Sequence, residues 1–459
     1  MIYSYFDIID RSKNGPQVKK TDWDMDHVIL PTRSILKKYD LKWDKQQVVP
    51  NDPAMIDRLF AAALELAETT GVYCINTERV ILFSRSELMQ GLTSTPQNLV
   101  MGSGKDARLL YARTICDLRK PLIWAGNPGV PTPEELFLPM VMSWMQEPVV
   151  DMVTCGSVVT VDGRPVETGT PSEVIAVRRE LRLLRDGLAR VGRPEMGMLA
   201  AQSAVSSLGD LAAAHPNYLH AHDSHLVAMF NELMIDQDNM SRAANSIETG
   251  IRNASLATVM VGGLAGDGAG AAVVQAASFI LANHVCRADY HLLHPIHIRH
   301  VATSTRGVMW VQGAVEQAFA RNAPSIIVSD IYPKSGAGTP ELLYEVAANA
   351  IAITVSGGHL EGVGSADGAV PNCSGLEARL MGEVGHSVTR QGIDLEHAED
   401  LVQKLLSRYE HIFSLPHGNP GKRFDEVYEM KTLRPLSEWE QCYFDVKHEL
   451  INLGLTMDL

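Results

Sequence analysis

From Pro121 onward, short apolar runs that end in Gly, Asn, Asp or His alternate with longer segments of helical period. That alternation marks successive strand–helix units. The runs that read as strands are 121–126, 149–156, 195–200, 257–263, 291–297, 325–330 and 353–357, with one more inside 218–233. Eight such units predict an α/β fold, a (β/α)8 TIM barrel. Between them, Glu173–Leu188 sets Arg178, Arg179, Glu180, Arg182 and Arg185 against Val174, Val177, Leu181 and Leu184, as a helix of the outer ring should. Pro340–Ser356 begins with proline after Thr339 and runs through Leu342, Leu343, Val346 and Ala347.

The upstream pattern is different. The first fifty residues are polar and aromatic by turns and predict an irregular arm. Asp52 and Pro53 then open a helix as N-cap and first helical residue, and Gly71 stops it. Val72–Asn76 and Arg79–Phe83 are β-prone runs separated by Thr77-Glu78, which predicts a hairpin. The chain therefore divides into an N-terminal extension, 1–118, packed on a barrel that occupies 119–459 together with C-terminal helices.

Composition narrows the function classes. A chain of 459 residues that is 46% hydrophobic and 20% charged can bury a large core, and a net charge of −14 without a basic cluster argues against a nucleic-acid partner. The N-terminus lacks the pattern of a signal peptide, and no apolar run reads as long enough to span a bilayer, so no membrane partner and a cytoplasmic location are expected. Six scattered cysteines, without a paired spacing, read as buried thiols, with Cys155 the one placed at a strand end. Gly102-Ser103-Gly104-Lys105-Asp106 is not a phosphate loop, because its spacing is short and Asp follows Lys.

Candidate chemistry follows from where strands end. The mouth of such a barrel is expected to collect Asn127 to Gly129, Cys155-Gly156, Gln202-Ser203, Gly262-Gly263, His297 to Arg299, Asp330 to Tyr332 and Gly357 to His359. To these is added the stretch from His215 to His225, with four imidazoles and one carboxylate in eleven residues. His220 and His222 would share a face if 218–222 is extended. With His225, Asp223, His215 or His297 they would form a site for a divalent metal, and an open fourth position suits zinc. His291 to His300 is a second histidine-rich stretch, in which buried, hydrogen-bonded imidazoles are the competing reading. The glycines from Gly262 to Gly270 make room for a close neighbour rather than a dinucleotide.

Several stretches together resemble the monomethylamine methyltransferases, which pass a methyl group to a corrinoid protein. They are Gly71-Val72-Tyr73-Cys74, Gly102 to Ala107, Gly192-Arg193-Pro194 with Met196-Gly197-Met198, Asp223-Ser224-His225, Asn231-Glu232-Leu233, Pro295 to Arg299, Ile331-Tyr332-Pro333 and, most specifically, Leu376 to Val384. The resemblance implies a (β/α)8 barrel, a homo-oligomer and a deep site reached by a partner's corrinoid. It also implies a departure. The family carries pyrrolysine shortly before Asp-Ser-His, a gap-free count puts His215 there, and the sequence contains no unusual residue. Tyr332 matches a tyrosine of the family's site, and Asp330 stands where a glutamine is expected.

Without that adduct chemistry, a substrate must bring its own charge or be activated by an acid. His215, His220, His222, Asp330 and Tyr332 are accordingly the catalytic candidates. His297, Arg299, Trp124 and Tyr218 are the candidates for holding a small methylated substrate, with aromatic faces suited to a quaternary ammonium and Arg299 to a carboxylate. Zinc-assisted demethylation of an O-, S- or N-methyl compound, a metal-dependent hydrolase and a binding protein are the rival readings.

Overall fold

The computed structural model describes residues 4–154, 156–200, 205–364 and 370–458. Its centre is a parallel sheet of eight strands. In chain order these are β1 (Ile123–Ala125), β2 (Met152–Val153), β3 (Leu199–Ala200), β4 (Ser224–Met229), β5 (Arg252–Ala257), β6 (Tyr290–Leu293), β7 (Ile327–Ile331) and β8 (His359–Gly362). β8 pairs with β1, and a parallel bridge from Val153 to Met198 closes the ring between β2 and β3. The outer ring comprises α1 (Glu134–Met145), α2 (Pro171–Arg190), α3 (Ser207–Ala213), α4 (Gln237–Thr249), α5 (Gly268–Val285), α6 (Arg306–Asn322), α7 (Pro340–Ser356) and α8 (Gly375–Gln391), each after the strand of its number. The α/β barrel read from the sequence is thus the observed fold.

Two strands lie elsewhere than the pattern predicts. The run 257–263 only begins where β5 ends, because β5 is built of small and polar residues, Arg252-Asn253-Ala254-Ser255-Leu256-Ala257. The run 353–357 belongs to the end of α7, whose residues Glu345–Ser356 are buried between the barrel and the helix Leu395–Tyr409. A helix enclosed on all sides needs no polar stripe, and so its last turn imitates a buried strand. The true strand, β8, contains His359 and Glu361.

The first fifty residues are helical rather than irregular, with helices at Tyr5–Asn14 and Leu30–Lys38 and a wider helical stretch at Trp23–Ile29. Trp23 anchors them: it is fully buried, stacks 5.2 Å from Tyr73 and donates its indole N–H to the Glu232 carbonyl at 3.1 Å. The helix Pro53–Thr70 has Asp52 as its N-cap, accepting from Ala54 and Met55, and it packs on α5 and α6. That packing explains α5, whose 18 residues are all buried. By length and composition α5 could cross a membrane, which corrects the expectation that no run is long enough, but its faces are taken up by protein.

The hairpin at Val72–Cys74 and Arg79–Ile81 forms as predicted, and Tyr73 and Cys74 also pair with Met234 and Ile235. A second hairpin, Asn98–Met101 with Arg108–Tyr111, closes the lower end of the barrel. Its Leu99, Met101 and Leu110 join Trp124, Met152, Leu199, Tyr290 and Val328 in one buried cluster. Its turn is the glycine-lysine stretch, where Lys105 donates to the Gly192 carbonyl at 2.8 Å and Gly102 takes a φ of +67°. Near the mouth, Gly268 and Gly307 give space to Trp43, since a Cβ on either would come within 2.9 Å of the indole.

Candidate active site at the barrel mouth

Side chains alternate in and out along each strand, so the inward set can be followed upward. On β7 it runs Val328 then Asp330, on β8 His359 then Glu361, and Asp330 and Glu361 are direct partners across the pair. On β6 it runs Tyr290, Leu292 and, just past the strand, His294. These upper residues line a cavity of about 260 Å³ at the carboxyl ends of the strands. Leu226, Leu256 and Leu292 give it apolar walls, Pro128 and Gly129 come from the loop after β1, and Thr258 follows β5.

Two carboxyl groups thus share one small space. Glu361 is 2% exposed, and burial, reinforced by the charge of Asp330, pushes its carboxyl well above the usual range. Among the described residues, its Oε2 and Oδ1 of Asp330 have no hydrogen-bond partner, and both are buried. The other oxygen of Asp330, Oδ2, lies 2.7 Å from Nδ1 of His294. The Tyr332 ring stands edge-on to His294, with centroids 5.5 Å apart. Buried polar atoms without partners are costly, so here they mark groups built to meet a ligand.

Trp124, a substrate candidate, lies inside the barrel but stacks on Tyr290 at 5.7 Å in the closed cluster and is absent from the cavity lining. His297 pairs in a short second tier, Ile296–His297 with Met260–Val261, above β5 and β6. Burial, with His300 and Arg299 nearby, lowers its imidazole to about 4. Arg299 is exposed beside it. His291 faces outward, stacked on Phe279 at 4.4 Å and hydrogen-bonded to Ser255, the core histidine of the competing reading.

The histidine cluster is at the wrong end for the role assigned to it. Residues 215–223 precede β4, and so they surround the N-terminal end of the barrel and not its mouth. The segment forms a turn rather than a strand, because Asp223 gathers it: its carboxylate accepts from the backbone N–H of His220 at 2.8 Å and of Met198 at 3.0 Å. His220, His222 and Asp223 do bring ligand atoms within 4.8 Å of one another, the one such group among the described residues. Asp223, however, is already paired with the Arg185 guanidinium, which also reaches Nδ1 of His220 at 3.0 Å. A fixed cation at that point opposes a second one, and burial together with Arg185 lowers the His220 imidazole. His225 turns outward from β4 to Asp210 of α3, at 2.8 Å, away from the other three. Tyr218 lies under Arg178, 5.9 Å from its ring, and His215 is exposed in the same connection, so neither faces the mouth. Cys155, Gln202 and Ser203 lie outside the described residues.

Of the expected mouth residues, the structure therefore brings Pro128, Gly129 and Asp330 to the cavity with Tyr332 beside them, and adds His294, Thr258 and Glu361. His359 belongs to the lower tier, where it accepts from the Leu122 N–H at 2.9 Å and faces the Tyr111 carbonyl at 2.7 Å. Glu361 was legible in one respect: Gly357-Gly358 is a helix stop, and the four residues that end with Gly362 must then be the strand.

Comparison with known proteins agrees with this architecture. Residues 3–455 match the family model of the monomethylamine methyltransferase MtmB. The chain is 32% identical to the monomethylamine methyltransferase MtmB2 of Methanosarcina acetivorans over 461 residues, covering 99% of this chain and 98% of the relative. It is 31% identical to MtmB1 of Methanosarcina barkeri over 455 residues, with the same coverage. The crystal structure of the Methanosarcina barkeri enzyme superposes with a TM-score of 0.95, as does that of a hydroxylamine complex of MtmB, each at 31% identity and over 99% of this chain. A match over nearly the whole length, in sequence and in backbone alike, establishes that this chain belongs to the monomethylamine methyltransferase family.

Proposed function

We propose that this methyltransferase moves the methyl group of a small methylated amine to the corrinoid of a partner protein, and that it does so without pyrrolysine. The observation that carries the substrate class is the pair of buried carboxylates in a small cavity walled by Leu226, Leu256 and Leu292. Such a space favours a small cation over any anion or neutral ether. The cavity, at about 260 Å³, has room for such an amine and not for a corrin ring, so a corrinoid would be presented from outside the mouth. When bound there, the partner's corrinoid supplies the nucleophile that takes the methyl group.

The protein's own residues prepare the nitrogen. In a displacement, the C–N electron pair stays with nitrogen, so a nitrogen that enters fully charged leaves as a neutral amine. Asp330 and Glu361 hold that charge, and His294 steadies Asp330 through the 2.7 Å contact. Leu226, Leu256 and Leu292 keep water from the methyl group and leave it only the open end of the cavity. The sequence holds only the twenty ordinary residues, which supports a route without the pyrrolysine adduct.

The experiment is direct. The purified protein is mixed with a reduced corrinoid protein and a panel of methylated amines, thiols and ethers while the visible spectrum of the corrinoid is followed. A change with methylated amines is expected. No change with any of them, alongside hydrolysis of an amide or ester, overturns the proposal.

A further inference from the structure

We propose that Glu361 and Asp330 form a two-carboxylate clamp for the N–H groups of an alkylammonium, and that Glu361 decides which methylated amines the site accepts. The inference rests on the methyltransferase reading of the same cavity and goes beyond it in naming what is recognised. A quaternary ammonium has no N–H, and its usual host is a cage of aromatic faces. None of the described residues lining this cavity is aromatic, apart from the imidazole of His294. What the cavity does offer is two acceptor atoms, Oε2 of Glu361 and Oδ1 of Asp330, on directly paired residues of neighbouring strands. Two acceptors side by side, buried and unsatisfied, suit a donor with two hydrogens to give.

The charge that acts on Glu361 is negative. Asp330 faces it from β7, Tyr290 lies below on β6 and Trp124 stands beside it on β1. No lysine or arginine is among the described residues of the lining, and the nearest base, His294, is engaged with Asp330. Burial and the neighbouring Asp330 thus favour the neutral form of Glu361 until a cation arrives. When an alkylammonium enters, it keeps its own hydrogens, the Glu361 O–H bond breaks and that proton passes to solvent. The occupied site then contains an ammonium between two carboxylates.

Proton release makes the clamp measurable without any corrinoid. Calorimetric titration of the intact protein with methylammonium, in buffers of different ionisation enthalpy near neutral pH, should show release of about one proton per ammonium bound. Affinity should fall from methylammonium and dimethylammonium to trimethylammonium, and tetramethylammonium should bind at least about tenfold more weakly than methylammonium. Glu361→Gln should abolish the proton release and weaken methylammonium on the order of ten- to hundredfold. Asp330→Asn is the second variant, with the same expected loss of affinity, and a thermal melt shows that each variant is folded.

Tetramethylammonium binding as tightly as methylammonium, or binding without proton release by the wild-type protein, overturns the clamp. Those two readings need no variant. The clamp and the methyl transfer are separable: a corrinoid that responds to methylammonium while Glu361→Gln binds it as the wild type does would leave the transfer standing and the clamp overturned. Proton-coupled binding with a corrinoid that never responds would do the reverse.

Discussion

At the scale of single residues, position relative to a strand decides what a histidine or a carboxylate can do. Asp223 and Asp330 are both buried acids next to imidazoles, yet one precedes its strand and the other comes near the end of its own. The first is a fastening for the barrel's lower end. Removing its carboxylate leaves Arg185, whose Nη1 is already buried without a partner, uncompensated. Asp223→Ala should therefore cost about 3–5 kcal/mol of unfolding free energy. His220→Ala, at a half-exposed side chain, should cost less than about 1 kcal/mol. Urea unfolding of the two variants checks the contrast, and equal losses would contradict it. The sequence placed Asp223 among histidines and Asp330 at a strand end, and it assigned both to the mouth. It could not show the difference, because four imidazoles in eleven residues give composition, whereas the face and end of a strand depend on where that strand begins.

Elements show the same limit from the other side. The caps were legible: Asp52 and Thr339 are N-caps where the pattern places them, and Gly357 ends α7. The alternation of strands and helices was legible too. What was hidden were strands whose outward residues are polar, such as β5, where Asn253 and Ser255 serve Cys286 and His291. Burial there is secured by hydrogen bonds instead of apolar side chains, so hydrophobic periodicity has nothing to report. Glu361 was missed for the converse reason, because in β8 the inward residues, His359 and Glu361, are the polar ones. The lower hairpin was also unforeseen, and it closes the barrel with Leu99, Met101 and Leu110. Leu110 is fully buried, and Leu110→Ala should cost about 2–5 kcal/mol. The expected signature is a lower urea midpoint with an unchanged slope.

For the whole molecule, buried acids and buried bases set opposite limits on pH. Burial raises Glu345 to about 7 and Glu377 to about 8, against an ordinary value of 4.5. A raised carboxyl stabilises below its unfolded pKa, and this contribution is lost as pH rises through the folded one. Burial also lowers His284 to about 4 from 6.5, and a lowered imidazole stabilises above 6.5 and loses that contribution as pH falls towards 4. Above 6.5 only the acid effect remains, and below 4.5 only the base effect. The melting temperature should therefore peak between about pH 4.5 and 6.5 and decline towards pH 8. Glu377→Gln, which can still cap α8, should flatten the decline on the alkaline side, and a melting series with pH tests both statements.

The carboxylate pair is held by the backbone of the ring. β7 and β8 are joined over four residue pairs, and Asp330 with Glu361 is one of them. Several hydrogen bonds must break together before such a ladder opens, so the two acids resist being parted. Their spacing is set by main-chain pairing and not by the reach of the side chains, which gives the site a fixed aperture whether it is full or empty.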